Sequence, residues 1–207
     1  MAARGRLIAL EGGEAVGKST QARLLGAVLG ALVARQPGGT PLGAQLRSLL
    51  LDPENGPVNP RAEALMMLAD RAQHIADVVA PALDSGQHVV LDRFNGSTLA
   101  YQGFGRGLDV TQLERLCRWS TDGVRADLNV LLDIDPAVAA ERRDETPDRI
   151  EAADLDFHQR VREGFLGVAR ADPDRWVVID ASGSMGEVRD LVRSGVADRL
   201  GLELVAP

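Results

Sequence analysis

Aromatic side chains are scarce in this chain of 207 residues: four Phe, two Trp and one Tyr make up 3% of it. A core of any size must therefore be filled mainly by Leu, Val, Ile and Ala. Cysteine is scarcer still. Cys117 stands alone, so no internal disulfide can form, and it reads as a partly buried apolar residue in a reducing compartment. An excess of basic charge is missing too, since 23 Lys and Arg face 30 Asp and Glu for a net charge of −7. That balance speaks against general nucleic-acid binding, where clustered positive charge supplies most of the affinity. A small anionic substrate stays open, because a local group of arginines can do what the net charge cannot. Long hydrophobic runs are absent as well. The apolar stretch of MAARGRLIALEGG is only LIAL, too short for a signal-peptide core or a membrane span, so the expectation is a cytoplasmic protein without membrane contact.

What is present is a regular alternation. RLIALE (6–11), ALVAR (31–35), HVVLDR (88–93), DLNVLLDID (127–135) and RWVVIDA (175–181) read as five buried strands. Their nearly continuous apolar character fits a parallel sheet covered on both faces. Helical patterns fill the intervals, over 18–30, 40–51, 60–84, 97–104, 111–125, 136–143, 154–171 and 185–200. Strands alternating with helices point to a three-layer α/β sandwich with right-handed crossovers, built as one domain over 1–207. Two segments break the rhythm. LDPENGPVNP (51–60) is a loop on its prolines, asparagines and glycine. RRDETPDRIE (142–151) is dense in charge and on composition alone reads equally well as a solvated linker.

The strongest local signal is GGEAVGKS, residues 12–19, which fits G-x-x-x-x-G-K-[ST] directly after a strand and at the start of a helix. In such a loop Gly12, Gly13, Glu14, Ala15, Val16 and Gly17 curl the backbone so that successive N–H groups face phosphate oxygens. The helix beginning near Lys18 and running through Thr20 adds the positive end of its dipole. Lys18 is expected on the β- and γ-phosphates of ATP, and the Ser19 hydroxyl on Mg²⁺. Asp92, closing the strand HVVLD, is placed by a doubly wound sheet beside that loop, where its carboxylate can hold the Mg²⁺ shell.

Such loops serve several classes of protein. A GTPase switch needs N-K-x-D to read guanine, and the chain lacks it. A motor or nucleic-acid ATPase sits poorly with the length and the acidic balance. A regulator that binds ATP without turnover has no use for a further arginine such as Arg93, next to Asp92. A small-molecule kinase explains more, because transfer between phosphates gathers negative charge that arginines must offset. His74, His88 and His158 read as structural.

The motifs resemble those of bacterial thymidylate kinases in sequence order. LEGGEAVGKSTQARLL is similar to that family's phosphate loop, RQPGGTPLGAQLRSLLL to its second segment and MMLADRAQH to its base-binding helix. LDRFNGSTLAYQGFGRGLD is the most specific piece, and DRIEAADLDFHQRVREGF resembles the lid border and the helix after it. The resemblance implies transfer of the γ-phosphoryl of MgATP to dTMP by a homodimer. It implies further that Glu14 faces the deoxyribose 3′-OH and steers an arginine, and that Arg47 and Arg93 hold the dTMP phosphate. Arg71 would donate to a thymine carbonyl, with Ser97, Thr98 and Gln102 along the base and phosphate side, and Tyr101 would crowd the place of a 2′-OH. Because Ala15 gives the loop no cation of its own, Arg142, Arg143 and Arg149 of a lid near 142–150 are the candidates for the γ-phosphoryl. Three positions depart from the family: Met67 where a Phe stacks on thymine, Gln36 in place of a Glu, and Asp144 where lids often carry Arg. A kinase of dUMP or of a broader set of monophosphates is the alternative if Met67 relaxes the pocket.

Overall fold

A computed structural model of the chain describes residues 4–142 and 147–202. Its centre is a five-stranded, wholly parallel sheet in the order β2-β3-β1-β4-β5. The strands are β1 (Leu7–Gly12), β2 (Leu32–Arg35), β3 (Val89–Asp92), β4 (Leu128–Asp133) and β5 (Trp176–Asp180), each within a residue or two of its expected span. All six residues of β1 are buried, as befits a central strand covered on both faces. The α/β class expected from the alternation is what the chain adopts.

Side chains alternate across the strands to feed two separate cores. Ile8, Leu10, Val90, Val130 and Leu132 pack on one face with Leu25 of α1 (Lys18–Leu29) and with Val188, Val192 and Val196 of α9 (Met185–Leu200). Leu7, Ala9, Val89 and Leu91 pack on the other with Ile75, Val79 and Leu83. Most helices start where a short polar side chain closes the first turn. Thr40 accepts from Gly43 N ahead of α2 (Pro41–Leu51), Asn59 from Arg61 N ahead of α3 (Pro60–His74), and Asp154 from Phe157 N ahead of α8 (Leu155–Ala171). Proline at the first position of α2 and α3 reinforces the start.

Two helical patterns take a different form from the one expected. The stretch 60–84 is not one α-helix: α3 gives way to a π turn at Ile75–Val79 and then to α4 (Ala80–Asp84). Pro81 is the cause that the sequence offers, since it lacks an N–H and its ring would crowd the carbonyl one turn back, so the backbone widens before it. After β3, α5 (Asn95–Thr98) likewise opens into a π turn over Leu99–Gly105, which carries Tyr101 and Gln102. The remaining helices among the described residues are α6 (Val110–Ser120), α7 (Pro136–Glu141) and a short 3-10 turn at Pro53–Asn55 inside the proline-rich loop. No helix among the described residues is long and apolar enough to cross a membrane.

The few aromatics are concentrated. Tyr101, Phe157, Phe165 and Trp176 share one cluster with Leu131, and Met67 packs against it. Tyr101 meets the rings of Phe157 and Phe165 edge-on, at 6.1 and 6.0 Å between centroids. That packing holds the only tyrosine rigidly at the carboxyl edge of the sheet, where ligands of open α/β folds bind.

Candidate active site

The phosphate loop leaves β1 between its neighbours β3 and β4, and close packing fixes its path. At Gly12, φ is 140° and a Cβ would stand 2.5 Å from the carbonyl oxygen of Leu132. Gly17 sits at φ 89° and caps α1 with no side-chain hydrogen bond, which leaves the first amides of that helix open to an anion. Ala15 also has positive φ, at 53°. Lys18 is buried, with Nζ bonded to the carbonyl of Gly13. Burial and the like charge of Arg93 bring its pKa down to about 8 even though Glu14 and Asp92 pull the other way. Such an ammonium lacks compensating negative charge, and a triphosphate supplies it.

Leu10 pairs with Asp92 across the β1–β3 ladder, so the end of β3 lies beside the loop. Ser19 Oγ donates to Asp92 Oδ2 at 2.5 Å. A hydroxyl and a carboxylate brought together are hard oxygen donors, suited to Mg²⁺, whose shell is normally completed by water and phosphate. The residues named for the metal therefore fit it chemically.

Arg93 follows at φ 72°, a strained conformation for a residue with a side chain. Its guanidinium ties the loop to the helical segment after β3. Nη1 donates to Gly12 O at 2.8 Å and to Ser97 Oγ at 3.2 Å, and Nη2 lies 2.8 Å from Glu14 Oε1 and 3.2 Å from Tyr101 Oη. Tyr101 in turn donates to Glu14 Oε1 at 2.6 Å. Burial works against the Glu14 charge, but Arg93, Lys18 and the Tyr101 hydroxyl outweigh it and bring its pKa to about 2. Burial lifts the Tyr101 phenol well above its ordinary value, so it stays a donor.

Behind Arg93 sits a carboxylate that sequence reasoning missed. Glu11 is wholly buried and accepts from Ser97 Oγ at 2.6 Å and from Phe94 N at 3.1 Å. Burial raises its pKa above the usual carboxylate range. Ser97 thus serves as a brace between Glu11 and Arg93. The only hint in the sequence was the place of Glu11 at the end of the central strand, one residue before the loop.

Two clefts meet here. One is lined by Glu14, Ala15, Gly17, Lys18, Ser19, Thr20, Asp92 and Arg142, with Arg35 as a further cation. The other is lined by Pro37, Leu51, Met67, Arg71, Ser97, Thr98, Tyr101 and Gln102. Gln36, Arg47, Arg93, Glu14 and Glu151 belong to both. Arg47 donates to Pro37 O at 3.1 Å, across a Gln36–Pro37 bond that is cis. Burial and the neighbouring charge of Arg35 press its pKa down, another cation short of an anion. At the far end Arg71 is almost wholly buried, bonded to Gln36 Oε1 at 2.9 Å, Thr98 Oγ1 at 2.7 Å and Phe94 O at 3.0 Å. A guanidinium carries more N–H groups than these bonds use.

Gln36 does not turn to the loop. Its amide bridges Arg71 and His74 Nδ1, the latter at 2.9 Å. The other two histidines also make structural bonds, His88 accepting from Arg6 N and His158 meeting the Glu151 carbonyl.

The lid candidates separate. Arg142 lines the phosphate cleft, with its guanidinium on the carbonyls of Ala181 and Ser182 at 2.8 and 2.6 Å. Arg149 is placed elsewhere: Nη2 pairs with the buried Glu63 at 2.8 Å and Nε donates to Leu50 O at 2.7 Å. The pairing turns the guanidinium toward Glu63, and Arg149 is absent from the lining of both clefts. Arg143 and Asp144 lie outside the described residues. Glu63 itself was not foreseen, although its spacing of four and eight residues from Met67 and Arg71 puts all three on one helix face.

The comparisons with known proteins agree with this geometry. The family model described as thymidylate kinase matches residues 10–192. A thymidylate kinase of Cutibacterium acnes is 45% identical over 201 residues, covering 95% of this chain and 98% of the relative. One from a Synechococcus species is 48% identical over 200 residues, covering 94% and 96%. Among solved structures, the thymidylate kinase of Ehrlichia chaffeensis superposes with a TM-score of 0.79 at 29% identity, covering 93% of this chain and 99% of that one. The chain belongs to the thymidylate kinase family.

Proposed function

We propose that the protein transfers the γ-phosphoryl of ATP to the phosphate of dTMP, giving dTDP and ADP on the way to dTTP. The observation that carries this reading is the shared wall of the two clefts. Arg93 and Arg47 stand where a phosphate loop meets a pocket bounded by Met67, Arg71 and Tyr101. Two anions seated on either side of that wall are held close together by cations common to both, which is what phosphoryl transfer needs.

The acceptor oxygen of a phosphate is already ionised, so no general base is required, and catalysis rests on positioning and charge. Lys18 and the loop amides hold the donor. Arg93, braced by Glu11 through Ser97 and by Glu14, presents its charge to the acceptor phosphate without having to reorganise. Tyr101, locked by Phe157 and Phe165, fills the space that a ribose 2′-OH would need. Ser19 and Asp92 would hold Mg²⁺, which would supply positive charge against the negative charge that develops on the phosphoryl group. Arg142 and Arg143 are the proposed lid cations, with Arg149 kept at the lid border by Glu63. Gln36 acts through Arg71 and not on the phosphate itself.

The proposal includes one P-loop kinase domain with its lid near 142–150, in a cytoplasmic homodimer. Exposed apolar side chains such as Leu65 on α3 and Trp119 on α6 support self-association. An ADP-release assay across dTMP, dUMP, ribothymidine monophosphate, dCMP and dGMP tests the reaction. Turnover with dTMP well above the others is expected. No turnover with any of them would remove the kinase reading, and equal rates on dUMP and dTMP would remove the thymine preference.

A further inference from the structure

Glu63 has 0% exposure, yet its carboxylate accepts hydrogen bonds from three side chains. It accepts from Gln102 Nε2 at 2.9 Å, from Arg106 Nε and Nη2 at 3.2 and 3.3 Å, and from Arg149 Nη2 at 2.8 Å. Burial alone would raise its pKa, but bonds from Gln102, Arg149 and Arg106 outweigh burial and hold it below the ordinary carboxylate range. An ionised carboxylate can only accept hydrogen bonds.

That restriction fixes its neighbour. The side-chain amide of Gln102 must turn its NH₂ toward Glu63, because the reverse orientation would set a carbonyl oxygen against a carboxylate. The amide carbonyl is then left for the cleft that Gln102 lines. Arg71 lines the same end of the cleft and can only donate, and it is tied to Thr98, one turn before Gln102. The floor of the pocket therefore sets one acceptor beside one donor. Its complement is a ring edge with N–H next to C=O, as in thymine. An edge with a bare ring nitrogen next to NH₂, as in cytosine, meets acceptor with acceptor and donor with donor.

We propose that Glu63 is the positioning residue that sets this polarity: by holding Gln102 Nε2 it aims the amide carbonyl at the base and makes the site reject a cytosine edge. The inference rests on dTMP being the acceptor. It also explains why a buried charge is kept here at all, since a neutral residue at position 63 would leave the Gln102 amide able to turn either way.

The test compares kcat/KM for dTMP with that for 5-methyl-2′-deoxycytidine monophosphate, which has the same outline and the opposite edge. Within one enzyme the ratio does not depend on how much of the protein is folded, so a general loss of stability leaves it unmoved. The wild type is expected to favour dTMP by a factor on the order of 10⁴, as sites with fixed polar partners do. In Glu63→Gln, residue 63 can donate as well as accept, Gln102 is free to turn, and the ratio falls by at least about tenfold. The dTMP to dUMP ratio stays the same, because those bases share an edge. Glu63→Asp, still acceptor-only, keeps the exclusion of the cytosine edge.

A Glu63→Gln enzyme with the full wild-type ratio, or a Glu63→Asp enzyme that loses as much as Glu63→Gln, would overturn the inference. Absence of dTMP turnover in the wild type would instead remove the proposed function. If Glu63→Gln does not fold, side-chain amide NMR on the wild type decides, with the Gln102 signal assigned by its loss in Gln102→Leu. The Gln102 NH₂ should exchange slowly both with and without dTMP. Fast exchange of that NH₂ in the free protein, where Glu63 is its only partner among the described residues, would mean that Glu63 does not hold it, and the assignment to Glu63 would be wrong.

Discussion

Replacing Glu14 by Gln removes one charge from the wall between the two clefts and leaves the shape intact. A glutamine closely imitates a protonated glutamate, so the change measures what ionisation of Glu14 contributes. The Glu14 pKa lies at about 2 against an ordinary 4.5, a gap worth roughly 3 kcal/mol at 1.36 kcal/mol per unit. The geometry gives a similar figure independently. The Arg93–Glu14 pair is 2.8 Å long with both side chains less than a fifth exposed, and breaking a pair of that kind from one side costs about 3–5 kcal/mol when it is fully buried. Because the cleft admits some water, about 2–3 kcal/mol is the expected loss at pH 7. The sign follows from a depressed folded pKa: the stabilisation is fully present above 4.5 and is lost as pH falls toward 2. Urea unfolding of wild type and Glu14→Gln should therefore differ by this amount at pH 7. The difference should shrink to about half at pH 3, since most of the titration gap has then been crossed. Equal urea midpoints at pH 7, or a difference that does not change between pH 7 and pH 3, would refute the coupling of Glu14 to Arg93.

Two other expectations concern single cations. Lys18, with its pKa at about 8, loses its proton as pH rises through that value, so kcat/KM for ATP, which reports the free enzyme, should fall above about pH 8. In Lys18→Arg that descending limb should disappear, and its persistence there would assign it to another group. Arg149→Ala should destabilise the protein by about 1–3 kcal/mol, because Glu63 stays buried with fewer donors, while kcat changes less than tenfold. Thermal unfolding and steady-state kinetics measure the two effects. A loss of several powers of ten in kcat with unchanged stability would return Arg149 to the phosphoryl group.

The features that could be read from the sequence are those carried by neighbouring residues. Five apolar runs gave the strands, and GGEAVGKS between a strand and a helix gave the phosphate loop, because period and motif are local properties. Asp92 could be placed beside that loop because a parallel sheet sets the ends of adjacent strands level. The two π turns were hidden, since their pattern differs from an α-helix by one residue in the register of the backbone, as around Pro81. The partners of charged groups were hidden for another reason. Arg149 finds Glu63 across 86 residues, and Glu11 finds Ser97 across the same separation. The resemblance marked Arg149 as a candidate for catalysis, but only the fold shows that a buried carboxylate holds it. The positive φ of Arg93, at 72°, is equally invisible in one dimension, since nothing in the residue type asks for it.

The central claim is that a phosphoryl group passes directly from ATP on the loop of Lys18 and Ser19 to dTMP in the cleft of Arg71 and Tyr101, across the wall formed by Arg93. Incubation with ATP labelled at the γ-phosphorus, with Mg²⁺ and dTMP, tests it most directly. The label should appear in the terminal phosphate of dTDP, with little in inorganic phosphate, and should no longer pass to dTMP at a comparable rate when Arg93 is replaced by Ala. Label released only as inorganic phosphate, or transferred to dTMP as fast by Arg93→Ala as by the wild type, would contradict the account.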